Sequence, residues 1–211
     1  MNRRLLAGGV LLGVVLAGCT PAATVTMPSA SASATGSGYL GAELTTPYRL
    51  PDVTLEASTG KEFDVRTGST APVFVLYFGY TNCPDICLGT LTDLASALNR
   101  VPEDVRAKIQ VALVTVDPER DTPTVMADYL KRIDPDFIGL TGDMDRIEKV
   151  AAAVGVAIEG VEQRPDGGYD VNHTAQVIGF NADREGVLVW TQGTPIATYR
   201  ADLERLVRQQ G

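Results

Sequence analysis

The chain has 211 residues, 45% of them hydrophobic and 21% charged, which suits one globular domain plus a non-globular segment and leaves too little for two full domains. A formal charge of −8 argues against nucleic acid as a partner, because that function needs a basic face to displace counterions from phosphates. An acidic, solvated surface is the expectation.

The first residues read as a targeting segment: Arg3-Arg4 is a basic stretch ahead of an apolar run from Leu5 to Leu16,. The run is too short for the roughly 20 apolar residues of a membrane-spanning helix. It stops at Leu16-Ala17-Gly18-Cys19, which resembles the lipobox of bacterial lipoproteins, where small residues admit the signal peptidase and the cysteine thiol receives a diacylglycerol. Residues 1–18 are therefore expected to be a signal peptide and Cys19 the lipidation site. The anchored protein is expected at the extracytoplasmic face of the cell membrane, since several acyl chains give stable anchoring. Residues 19–40 are rich in Ala, Ser, Thr, Pro and Gly, the composition of a disordered tether.

Residues 41–211 are enough for one compact domain with a sizeable core,. Tyr48 to Val65 alternates weakly around Ser58-Thr59-Gly60-Lys61 and predicts a leading β-hairpin,. Val73 to Phe78 is a continuous apolar and aromatic run, expected of a strand buried on both faces,. Leu91, Leu94, Ala95 and Leu98 then make one apolar helical stripe,. A second buried strand, Val111 to Val116, ends at Asp117-Pro118. Thr122-Pro123 supplies an N-cap and an N1 proline for a helix with Met126, Leu130 and Ile133 inward,. Asp117 and Asp121 read as residues that shape and cap that helix start.

Phe137 to Thr141 predicts a short strand, and Met144, Ile147, Ala151 and Val154 a helix closed by Gly155,. Beyond it, Pro165 to Gly168 reads as a turn. Ala175 to Phe180 and Val187 to Thr191 read as antiparallel strands, Trp190 as core, and Tyr199, Leu203, Leu206 and Val207 as the inner face of a last helix. Parallel βαβ units followed by a hairpin and a terminal helix predict an α/β, thioredoxin-like sandwich with a mixed central sheet.

With Cys19 assigned to lipidation, both remaining cysteines fall in Cys83-Pro84-Asp85-Ile86-Cys87, after a buried strand and before a helix,. That is the sheet edge where open α/β folds tend to place their sites. A cysteine in the first helical turn, four residues from its partner, brings two sulfurs close enough to share a metal or to form a disulfide. The helix N-terminus favours the thiolate that either chemistry uses. A purely structural disulfide is the weaker reading, because so short a ring removes little chain entropy. Asp85, between the cysteines, reads as an exposed turn carboxylate.

His173 is the single histidine, expected in the loop entering the Ala175 strand, which in a thioredoxin-like sheet faces the cysteine loop. Tyr169-Asp170-Val171-Asn172-His173-Thr174 contains no proline, where ordinary thioredoxins have one. Two thiolates and one imidazole suit Cu(I), with room for a weak further ligand on Cu(II). Zinc also accepts Cys₂His with water.

These segments, together with Phe78-Gly79-Tyr80-Thr81-Asn82, Val116-Asp117-Pro118-Glu119-Arg120-Asp121-Thr122-Pro123 and Phe137-Ile138-Gly139-Leu140-Thr141-Gly142, resemble the Sco/SenC family, copper chaperones for the CuA centre of cytochrome c oxidase. The resemblance implies copper, as Cu(I) or Cu(II), on Cys83, Cys87 and His173. It implies an oxidase subunit carrying CuA as acceptor, with a copper donor protein and a thiol reductant as further partners. Two positions depart from the family pattern: Leu88 where Pro is usual and Asn172 where Asp is usual. The alternative reading is a thiol–disulfide oxidoreductase that uses Cys83 and Cys87 as a redox pair to reduce the CuA cysteines. A peroxiredoxin-like peroxidase shares the fold but would not need Cys87 or His173 at these places.

Overall fold

The computed structural model describes residues 38–210. The expected signal peptide, Cys19 and the tether as far as residue 37 lie outside the described residues. The chain enters through strand β1 (Ala42–Arg49) and the hairpin β2 (Thr54–Ala57) and β3 (Glu62–Asp64), followed by β4 (Val73–Gly79) and helix α1 (Ile86–Leu98). A short α2 (Glu103–Arg106) leads to β5 (Ile109–Thr115), α3 (Pro123–Lys131), β6 (Ile138–Thr141) and α4 (Met144–Ala153). Then come β7 (Ile158–Gln163), β8 (Tyr169–His173), β9 (Val177–Phe180), β10 (Glu185–Trp190) and α5 (Ile196–Gln209).

Eight strands form one sheet in the order β1-β10-β9-β4-β5-β6-β2-β3, while β7 and β8 pair only with each other. β4, β5 and β6 run parallel, and β9 and β2 flank them antiparallel. This is the predicted thioredoxin-like arrangement with a mixed sheet. β4 is central because it is apolar on both faces: Val73 to Phe78 are all fully buried,. At roughly 1.5–3 kcal/mol for each large apolar side chain withdrawn from water, this strand is a rigid base for the cysteine loop that leaves its end. α1 and α5 pack on each other, and Leu91, Leu94, Ala95, Leu98, Tyr199, Leu203, Leu206 and Val207 are buried as their spacing predicts,.

Several expectations need correction. The β2–β3 hairpin exists, but it is shorter than Tyr48 to Val65, sits at the far edge beside β6, and is preceded by β1. Ile133 lies past the end of α3 and is only partly buried. The Pro165–Gly168 turn joins two strands that the hydrophobic pattern does not show, because β7 exposes nearly every side chain and so carries no alternation,. His173 consequently ends a strand instead of lying in a loop. Thr122 caps α3 as expected, accepting from the Val125 amide at 3.4 Å, with Pro123 at the first helical position,.

At the start of the domain, buried Asp202 of α5 accepts from the Leu40 and Gly41 amides at 2.8 and 2.7 Å and from Trp190 Nε1 at 2.8 Å. A Cβ on Gly41 would sit 2.6 Å from the Trp190 ring. The boundary expected near residue 41 is thus a tight junction between the entering chain, the β10 tryptophan and the last helix.

Candidate metal and thiol site

Because β4 and β5 are parallel and in register, with Gly79 opposite Thr115, the segments that follow them leave the same sheet edge. The first carries Cys83 to Cys87. Cys87 lies in the first turn of α1 and is fully buried, while Cys83 is half-buried; both are free thiols. Gly79 provides the space: a Cβ there would meet the Cys87 sulfur at 2.9 Å.

Asp85 occupies the N-cap position of α1 but makes no side-chain cap hydrogen bond. The sulfur of Cys83 takes that place, accepting from the Cys87 amide at 3.4 Å. This geometry divides the two thiols. The hydrogen bond from the Cys87 thiol lowers the Cys83 pKa to about 6 against the opposing effect of burial, helped by the Cys87, Asp85 and Ile86 amides,. Cys87 is pushed strongly up, first by that shared hydrogen bond and then by burial. The arrangement favours a thiolate on the outer sulfur, with the proton kept on the inner one,. The buried Tyr77 hydroxyl interacts with Cys87 and Thr90, and the buried Tyr129 hydroxyl, without a hydrogen-bond partner among the described residues, lies within electrostatic reach of Cys87.

Opposite the cysteines stands the β7–β8 hairpin. Cys83, Pro84, Ile86 and Tyr80 line one side of a cleft of about 260 Å³, and Asp170, Asn172 and His173 line the other. The His173 ring meets Tyr80 edge-on at 6.2 Å, and its Nδ1 lies 3.1 Å from the Thr174 carbonyl oxygen. If Nδ1 donates there, Nε2 keeps the free lone pair that a metal needs. Burial lowers the His173 pKa, opposed by the Thr174 carbonyl, and so favours the neutral, ligating imidazole.

Of the three residues singled out in the sequence, Cys83 and His173 border one cleft and Cys87 lies buried behind Cys83, and they do not form a closed triad. Among the described residues no three His, Cys, Asp or Glu side chains converge as a ready metal cage. The hydrogen bond to Thr174 and the packing on Tyr80 hold the imidazole on its own side. The donor set still fits a soft ion: the outer sulfur is favoured as thiolate with the second sulfur directly behind it, and an imidazole whose neutral form burial favours faces Cys83 across the cleft,. Asp85 is an exposed turn carboxylate, as expected, and Leu88 is exposed beside the site.

Asp121 does not cap α3. It is fully buried and accepts from the Thr81 amide (2.9 Å), the Thr81 hydroxyl (2.5 Å) and the Thr115 hydroxyl (2.7 Å). Asp117 accepts from the Tyr169 hydroxyl at 2.9 Å and pairs with Arg120. Their sequence context, an Asp-Pro turn before a helix, signals a local role, and nothing in it points to partners some 40 or 50 positions away.

A family model described as SCO1/SenC matches residues 40–208. A putative copper-binding protein of Stutzerimonas stutzeri is 36% identical over 103 residues, covering 49% of this chain and 50% of that protein. The mitochondrial SCO1 protein of Saccharomyces cerevisiae is 31% identical over 153 residues, 72% of this chain and 49% of that one. The chain thus spans about half the length of these relatives. Among solved structures, Arabidopsis thaliana ScoI with copper bound superposes with a TM-score of 0.70 at 28% identity, covering 76% of this chain and 98% of that one. Apo Sco1 from Thermus thermophilus gives 0.68 at 33% identity, with 79% and 95% covered.

Proposed function

The chain belongs to the SCO1/SenC family, and on that premise we propose that it carries copper at the extracytoplasmic membrane face and passes it to the CuA centre of a cytochrome c oxidase subunit. The observation that supports this most is the cleft between the Cys83 loop and the His173 strand, with Cys87 one helical turn behind Cys83. Copper is the cargo. Soft thiolates hold Cu(I), and the imidazole completes a site for Cu(II). Because one ligand stands on a separate hairpin, the acceptor's thiols can enter as His173 leaves, so the ion moves by exchange without becoming free. A copper donor protein and a thiol reductant would load the site. Cys19, lipidated, would hold the domain on the membrane where the oxidase lies.

The unequal thiols favour a second use of the same pair. As a nucleophile, the Cys83 thiolate can attack a disulfide between the acceptor's CuA cysteines, forming a mixed disulfide. Cys87 then loses its proton, attacks the Cys83 sulfur and releases the acceptor as a dithiol, leaving Cys83–Cys87 oxidised. Two electrons pass to the acceptor, and a reductant must restore the pair.

Cells tested under limiting copper separate these readings. His173→Ala, which keeps both thiols, is expected to lose CuA assembly, and normal assembly would move the reductase reading to first place. Cys19→Ala is expected to release the protein from the membrane fraction or to block its processing, while the purified domain still binds copper. A processed chain that stays in the membrane fraction would remove the lipid anchor.

A further inference from the structure

The turn between β5 and α3 reaches both halves of the site. Its last residue, Asp121, grips the cysteine side: the three hydrogen bonds to Thr81 and Thr115 fix the chain two residues before Cys83 to the end of β5. The buried carboxylate has no cation among these contacts, so its desolvation is offset only while those donors stay in place.

The other residues of the turn grip the histidine side. The Arg120 guanidinium lies 3.6 Å from the centre of the Tyr169 ring and 5.8 Å from that of Tyr80. It also donates to the Tyr169 carbonyl at 3.2 Å, while its charge is held by Asp117, which itself accepts from the Tyr169 hydroxyl. Tyr80 adds a second tie, accepting from the Val171 amide at 3.2 Å and donating to Asp170 at 3.1 Å. These contacts fall on the first residues of β8, 169–171, beside the hairpin turn. Two residues further on, His173 pairs with Ile158 and packs on the Tyr80 ring.

We propose that Arg120, braced by Asp117, is the positioning residue of the site: it pins the start of β8, next to the hairpin turn, so that the strand carrying His173 stays facing the cysteine loop across the cleft. Asp121 is the matching fixture for the cysteine loop. A pinned strand keeps the imidazole at high effective concentration near the cysteine loop. This deepens the proposed function and rests on it, because the imidazole is taken to be a copper ligand.

The test compares Arg120→Met, Arg120→Lys and Tyr169→Phe with the unaltered domain, using hydrogen exchange on metal-free protein and Cu(II) titration followed by electron paramagnetic resonance. Arg120→Met is expected to speed exchange at the Val171 amide and along β7–β8 while sparing β4 and β5. It should weaken Cu(II) by about 10- to 100-fold, the usual effect of losing a residue that orients a ligand, and diminish the nitrogen hyperfine signal. Arg120→Lys, which keeps the charge but not the stacked plane, should fall between, and Tyr169→Phe should show a smaller shift in the same direction. Cys83–Cys87 disulfide formation should be unchanged in all three.

Unchanged hairpin exchange in Arg120→Met overturns the proposal, as does faster exchange with unaltered Cu(II) affinity and spectrum. Equal loss of disulfide formation would also overturn it, by making the residue a general support of the fold. If the unaltered domain takes up no copper, the proposed function fails, and the exchange result alone decides whether Arg120 pins the hairpin.

Discussion

Iodoacetamide added to the reduced, metal-free domain at neutral pH is expected to modify Cys83 at least about 100-fold faster than Cys87. Reactivity follows the thiolate, and the two sulfurs differ in both ionisation and access. Cys83 is half-buried, opens onto the cleft, and has its pKa lowered to about 6 by the Cys87 thiol and the amides at the start of α1. Cys87 has no exposed surface and its pKa is strongly raised. The sign is clear: a depressed thiol pKa means that the rate at Cys83 stays high above pH 6 and falls as pH drops through it. Replacing Cys87 by Ala removes the largest lowering contribution, so the midpoint at Cys83 should rise toward the ordinary thiol range. Peptide mapping of the alkylated protein against pH reads all of this. Equal rates at the two cysteines, or a Cys83 midpoint in the ordinary thiol range near 8.5, would contradict the account.

The second large effect separates the ligands by what each chemistry needs. His173→Ala is expected to lose Cu(II) binding by more than about 100-fold, since losing a ligand must cost at least as much as losing a residue that orients one. The same variant should still form and exchange the Cys83–Cys87 disulfide, because it keeps both thiols and the start of α1 that holds them. Cys83→Ser should lose both activities, having lost the metal ligand and the nucleophile together. Metal titration and disulfide exchange with a small oxidised dithiol, on the same preparations, give the four values required. A His173→Ala protein with unaltered Cu(II) affinity would remove the histidine from the site.

The parts of this architecture that are legible in sequence are those whose signal is local. Val73 to Phe78 announces a strand buried on both faces, the Leu91–Leu98 stripe announces its helix, and the short cysteine motif between them marks the site. The β7–β8 hairpin is not legible, because its strands are mostly solvated and make no alternating pattern. β1 is hidden for the same reason: its residues are exposed or only partly buried, and its partner β10 lies more than 130 positions away. Asp121 shows the limit for side chains. Beside Thr122 it looks like a helix cap, but its carboxylate turns inward to Thr81 and Thr115. Hydrophobic spacing carries no trace of a hydrogen bond to a residue 40 positions earlier. Cys83, Cys87 and His173 could be singled out because each is a rare residue type here. That the imidazole stands apart from the sulfurs depends on a hairpin that no local pattern reveals.

The central claim is that Cys83, Cys87 and His173 close on a single copper ion. Titration of the reduced, untagged domain with Cu(II), read by electron paramagnetic resonance and absorption, tests it most directly. The account predicts one equivalent per chain, a sulfur-to-copper charge-transfer band, and hyperfine coupling to one nitrogen that disappears in His173→Ala. Two equivalents of similar affinity, or a bound copper with no nitrogen coupling in the unaltered protein, would contradict it.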